Sequence, residues 1–245
     1  MTSETPAPQA DPELAFPPRP PAPGEKLPRR GLLAAAGLGT LRRWAPPGGE
    51  RRPPLWGGLT TLTVWPDFFL AGPVLGAPWA ALTLEELFRR GGEEIIFFGL
   101  AGGLDAGLKP GDLLCPETGL STEGTSAHYP APLSPDQDLR RLLLAQGEPL
   151  FGGAIWSTDA PCRETAAQVA AQKASGALAV DMETTALWAV ARFRGRRLAA
   201  LLVIDDLLSE NGHKPGLDRP GFRRGLDRAA RLALRAARTI KDGPP

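Results

Sequence analysis

Apolar residues along the chain fall into short runs separated by polar, glycine- and proline-rich stretches, and the spacing within the runs alternates between two periods. Residues 59–65 and 68–71 are rich in β-branched and aromatic side chains, the pattern of strands. Residues 77–90 change to helical spacing, with Leu82, Leu84, Leu87 and Phe88 on the apolar side, and Gly91-Gly92 stops the helix. A continuous apolar run at 95–98 reads as a buried strand that leads into GLAGGL. The same reading predicts strands at 113–116, 152–156, 177–180 and 198–204, and helices at 134–146, 164–175, 183–193 and 220–240. Pro-Pro, Gly-Gly and Arg-Arg pairs at 46–54 predict a loop. Strands alternating with helices call for a parallel or mixed sheet covered on both faces, so the predicted class is α/β.

Composition sets the borders. Residues 1–29 are proline-rich, with Pro17, Pro18, Pro20, Pro21 and Pro23, and predict a poorly ordered tail outside the fold; residues 30–245 predict one domain. A chain of 245 residues buries enough apolar surface to need no disulfides, and its two cysteines form no framework, which predicts a reducing, cytoplasmic setting. No apolar run approaches the roughly twenty residues of a membrane span, and the N-terminus lacks a signal-peptide core. A net charge of +1 argues against nucleic-acid or membrane partners. The arginines at 224, 228, 231, 235 and 238 make a stripe on the last helix that reads as a solvated face opposite an apolar one.

Chemistry is expected where strands end, because ligands of open α/β sheets bind outside the strand carboxyl ends. Gly99, Gly102 and Gly103 follow one strand; Asp181 and Glu183 follow another; Asp205 and Asp206 follow the most aliphatic one. Each has a structural alternative: a tight turn for the glycines, an N-cap for Asp181, and a helix-dipole partner for Glu183. Asp205 is harder to explain that way, since a carboxylate at a buried strand end needs a partner, and Asp206 beside it favours a raised pKa suited to a general acid.

The ordered motifs GPVLGAP (72–78), GLAGGLDAGLKPGDLL (99–114), EGTSAHY (123–129), STDAPCRET (157–165), VDMETTAL (180–187) and LLVIDDLL (201–208) resemble the purine nucleoside/uridine phosphorylase superfamily, the STDAPCRET form most like its uridine-phosphorylase-like branch. The resemblance implies a three-layer α/β phosphorylase/hydrolase-like fold, a central mixed sheet flanked by helices. It implies cleavage of a nucleoside N-glycosidic bond with phosphate as co-substrate, in nucleotide salvage, without a metal or organic cofactor. It implies a homo-oligomer, dimer or hexamer, with sites near subunit interfaces. Residue by residue, it assigns the ribose hydroxyls to Glu183, sugar packing to Met182, the leaving base to Asp205 and a base carbonyl to Arg163. Gly102, Asp181 and His128 are further pocket candidates, and Trp156 or Phe98 are candidates for stacking on the base. The phosphate half departs from the family pattern: arginine and serine or threonine are usual where Phe97 and Leu100 stand. That leaves Arg42 with the Gly99 loop as the candidate phosphate cradle, and three readings open: phosphorylase, water-using nucleosidase, or inactive nucleoside-binding homologue.

Overall fold

The computed structural model describes residues 21–209 and 212–239. In chain order the elements are β1 (Arg30–Ala34), α1 (Leu38–Trp44), β2 (Glu50–Leu55), β3 (Thr60–Val64), β4 (Phe69–Gly72), α2 (Ala77–Arg89) and β5 (Glu94–Gly103). Then follow β6 (Leu113–Leu114), β7 (Thr118–Ser121), α3 (Gln137–Leu144), β8 (Ala154–Ser157), α4 (Ala166–Ala174) and β9 (Ala177–Asp181). The chain closes with α5 (Thr184–Phe193), β10 (Arg197–Ser209), β11 (Gly212–Pro215) and α6 (Pro220–Thr239).

The strands form one 11-stranded mixed sheet, with a path β2-β3-β4-β1-β5-β9-β8-β7 and with β10 beside β5, β6 and β11. β5 is the hub. It runs parallel to β1 through Phe98, parallel to β10 along its whole length, and antiparallel to β9 at Gly102 and Gly103. Period-two alternation explains its cover on both faces. Ile95, Phe97 and Ala101 of β5, with Leu198, Ala200, Leu202 and Ile204 of β10, join the core beneath α2 and α5. Ile96 and Phe98, with Ala199, Leu201 and Val203, join the core beneath α6. Helices therefore lie on both faces of the mixed sheet, the three-layer arrangement expected. Each fully buried Leu or Phe in these layers contributes roughly 1.5–3 kcal/mol.

The structure moves several predicted borders. The GLAGGL glycines do not form a strand-to-loop turn; they lie inside β5, where the strand leaves β1 for β9. A side chain there has no room: a Cβ on Gly102 would stand 2.5 Å from Leu208 and 2.6 Å from Asp206 Oδ1. The 46–54 block is not all loop, because Glu50–Leu55 forms an edge strand on β3. Its prolines are tolerated because their missing N–H groups fall at the register break between Arg52 and Leu55. Leu82 is 48% exposed and does not join the core. The tail does not extend to residue 29. Leu27 is buried, its N–H donates to the Arg90 carbonyl at 2.8 Å, and Glu25 pairs with Arg89 and Arg90. The predicted disorder of residues 1–20 lies outside the described residues. β1, β7 and β11 are strands, and α1 is a helix, that periodicity did not predict.

Candidate functional site

Side chains from the carboxyl ends of β5, β9 and β10 open into one cavity of ≈ 810 Å³. β9 and the start of α5 supply Asp181, Met182 and Glu183; β10 supplies Asp205, Asp206 and Leu208; β5 supplies Leu100, Ala101 and Gly102. The hairpin β10–β11 contributes Ser209, Gly212 and His213 as one wall, and Cys162 and Glu164 close another.

Asp181 is the most constrained of these groups. Its Oδ1 accepts from Ser157 Oγ at 2.5 Å, and its Oδ2 accepts from the Thr184 backbone N–H at 3.0 Å and from the Thr184 hydroxyl. Ser157 Oγ in turn accepts from the Thr185 N–H, and Thr185 Oγ1 donates to Glu123 at 3.0 Å. Burial acts to raise the Glu123 carboxyl, but bonds from Ser126, Ser121 and Thr185 outweigh it and hold the group below the usual range. This buried network fixes the turn from β9 into α5, and so fixes Glu183. Asp181 is pushed up to about 6 by burial, against the hydrogen bonds it accepts. It is a positioning group as well as a lining one.

Glu183 stands at the N-cap position of α5 without capping it; instead its Oε1 accepts from the Gly76 N–H at 2.6 Å, at the start of α2. Burial, and then the charge of Asp181, push it up to about 7. Asp205 is pushed up to about 6 by burial and by Asp206. Asp206 Oδ2 lies 2.6 Å from His213 Nε2 across the β10–β11 pair, while its Oδ1 is buried without a hydrogen-bond partner. Glu164 is raised by burial and by Asp206.

The structure thus brings Asp181, Met182, Glu183, Gly102 and Asp205 together, and separates the remaining candidates. Arg163 is exposed and is not among the lining residues, although its neighbours Cys162 and Glu164 are. His128 is exposed on the Ser126–His128 turn, also off the cavity. The Arg42–Gly99 cradle does not form: Arg42 Nη2 donates to Thr61 Oγ1 at 2.7 Å, and Gly99 is buried within β5 against Phe97 and Leu202. Ala35, Ala36, Leu75 and Leu100 line that side instead. Trp156 and Phe98 are core residues; the Trp156 indole N–H donates to Thr122 at 2.8 Å.

Sequence reasoning placed Glu164 only at the end of the strand-end segment 157–164, with no role, and missed His213. The signal for His213 is weak: the pairing of β10 with β11, which sets it beside Asp206, follows no periodic pattern in the sequence. Five carboxylates line the cavity, and no lysine or arginine does among the described residues. Nor, among those residues, is any group of three or more His, Cys, Asp or Glu placed to hold a metal ion. No described helix is long and apolar enough to cross a membrane.

Comparison with known proteins identifies the family and the fold. The sequence model of the phosphorylase superfamily matches residues 60–240. A guanosine phosphorylase of Halorubrum lacusprofundi is 30% identical over 186 residues, covering 71% of this chain and 77% of the relative. The purine nucleoside phosphorylase of Toxoplasma gondii superposes with a TM-score of 0.76 at 15% identity, over 88% of this chain and 92% of the other. A uridine phosphorylase of Vibrio fischeri superposes at 0.73 with 21% identity, over 86% and 92%.

Proposed function

The chain belongs to the phosphorylase superfamily, and from that premise we propose that it is a nucleoside phosphorylase, a pentosyltransferase that cleaves the N-glycosidic bond of a purine nucleoside with phosphate. The carrying observation is that Glu183 with Met182, and Asp205, open into one cavity from neighbouring strand ends. Glu183 accepts the ribose hydroxyls and, when ionised, stabilises the positive charge that develops on the sugar ring. Asp205, raised to about 6, donates a proton to the departing base, which leaves neutral rather than as an anion. A purine is favoured over a pyrimidine by Asp205 and by likeness to a guanosine phosphorylase.

A second reading, hydrolysis with water, is favoured by the apolar lining at Ala35, Ala36 and Leu100, which offers no side-chain cation to phosphate. Incubation with a nucleoside panel, with and without phosphate, separates the two. Phosphate-dependent release of base and appearance of sugar 1-phosphate supports phosphorolysis. Equal release without phosphate supports hydrolysis. No release from any nucleoside under either condition overturns both.

Assembly as a homo-oligomer, dimer or hexamer, fits the 75% exposed Leu75 at the cavity rim and the 59% exposed Leu59. A cytoplasmic role in nucleoside salvage fits two cysteines that are both free.

A further inference from the structure

A second cavity, of ≈ 520 Å³, lies on the other side of the β10–β11 hairpin from the nucleoside cavity. Strand alternation makes the hairpin a shared wall. Asp206, Leu208 and His213 line the nucleoside cavity, while Leu207 and Lys214 line the second. Its charge is opposite: Lys109, Lys214, Arg219 and Arg224 line it, and among the described residues no carboxylate does. The nearby Asp112 carboxylate is engaged by the Lys109 backbone N–H at 2.8 Å.

The contrast with the later turns of α6 makes this cluster informative. Further along the helix, Arg228 donates to the Gly111 carbonyl and faces Glu148, Arg231 lies over the Trp44 ring, Arg235 reaches Gln146, and Arg238 faces Asp67. Those arginines are partnered within the chain. The side chains of Lys109, Lys214, Arg219 and Arg224 make no ion pair or hydrogen bond with the described residues. Four uncompensated cations converging on a concave surface repel one another and favour an occupant carrying more than one negative charge. Pro110 and Leu207 give the groove an apolar floor, which suits an organic portion beside the anion. The walls are held rigidly: a Cβ on Gly111 would stand 2.2 Å from the Gly221 carbonyl oxygen, and one on Gly225 would stand 2.1 Å from the Gly111 oxygen.

We propose that the groove between the Lys109 loop, β11 and the start of α6 is a binding site for a small organic phosphate, a sugar phosphate or a nucleotide, separate from the nucleoside cavity. Guanidinium and ammonium groups bind the phosphoryl oxygens, and the Pro110–Leu207 floor receives the organic portion.

Titration calorimetry at fixed ionic strength tests this with ribose 5-phosphate, guanosine 5′-monophosphate, inorganic phosphate and guanosine as probes. The proteins compared are the wild type and two double variants, Lys214→Gln/Arg224→Gln and Lys109→Gln/Arg219→Gln, all at exposed positions. The expected result is binding of at least one organic phosphate to the wild type, weakened at least about tenfold in each variant, with guanosine affinity unchanged. Binding of neither organic phosphate, or binding that both variants retain, overturns the site. Inorganic phosphate binding as tightly as the organic probes overturns the assignment to an organic phosphate. A single-stranded RNA that binds tighter than either probe, and loses that affinity in the variants, overturns the choice of a small molecule. Each readout is binding, so the result stands whether or not the nucleoside cavity performs the proposed cleavage.

Discussion

At the scale of single residues, Asp205 and Glu183 make a pair whose protonation states oppose each other. The proposed mechanism needs Asp205 protonated and Glu183 ionised, yet Asp205 is raised to about 6 and Glu183 to about 7. The working form is therefore a minority species at every pH. Below about 6, activity rises with pH as Glu183 ionises; above about 7, it falls as Asp205 loses the last of its proton. The kcat/KM profile is expected to be a bell with its maximum between these values. Asp205→Asn should lower kcat/KM by about 100-fold and abolish the alkaline fall, and a rate equal to wild type would remove Asp205 from the mechanism. Because the charge of Asp206 raises Asp205, Asp206→Asn should depress the rate above pH 6 and leave the acid limb nearly unchanged. The adjacent acids Asp205 and Asp206 made this legible in the sequence. Arg42 misled because a guanidinium near a glycine loop says nothing about direction, and Thr61 holds it elsewhere.

At the scale of elements, most strands and helices were legible because the two periods differ sharply at their borders, whereas β1, α1, β2, β7 and β11 were not. Ends were less legible, for a local reason in each case. β5 runs on through three glycines, which lack the side-chain pattern that marks a strand, because steric closeness to β10 admits nothing larger. β2 hides behind its prolines, and β7 and β11 are too short and polar to show alternation. Contacts between elements are also where a single methyl group matters most. Gly225 on α6 meets the backbone of Gly111, so Gly225→Ala gains helix propensity but drives a Cβ into that oxygen. A net loss of about 1–3 kcal/mol is expected from chemical denaturation, and an unchanged midpoint would mean that the 109–111 loop yields easily.

At the scale of the whole molecule, several buried carboxylates titrate out of their ordinary range, and their signs set the pH dependence of folding. Asp181, Glu183 and Asp205 all bind protons more tightly folded than unfolded. Their stabilising effect is complete below their unfolded values near 4 and is lost as pH rises through about 6 to 7. Glu86 and Glu123 are held low instead, so they act only as pH falls below the usual carboxylate range. Between pH 5 and 8 the first group dominates, and the Tm is expected to fall across that window. A flat Tm would show that these carboxylates keep their charge in the folded chain. The cavity, lined among the described residues by five carboxylates and no lysine or arginine, has an expected consequence beyond the proposed catalysis: sorting of candidate substrates by their charge. An uncharged nucleoside crosses the mouth at no electrostatic cost, whereas its 5′-monophosphate arrives with nearly two negative charges and meets a repelling field, one that inorganic phosphate meets as well and that weighs toward the reading with water. Guanosine 5′-monophosphate should therefore be cleaved at least about 100-fold less efficiently than guanosine, with the gap narrowing as salt screens the field. Under the proposed function, such an entrance admits nucleosides and turns away their phosphorylated forms.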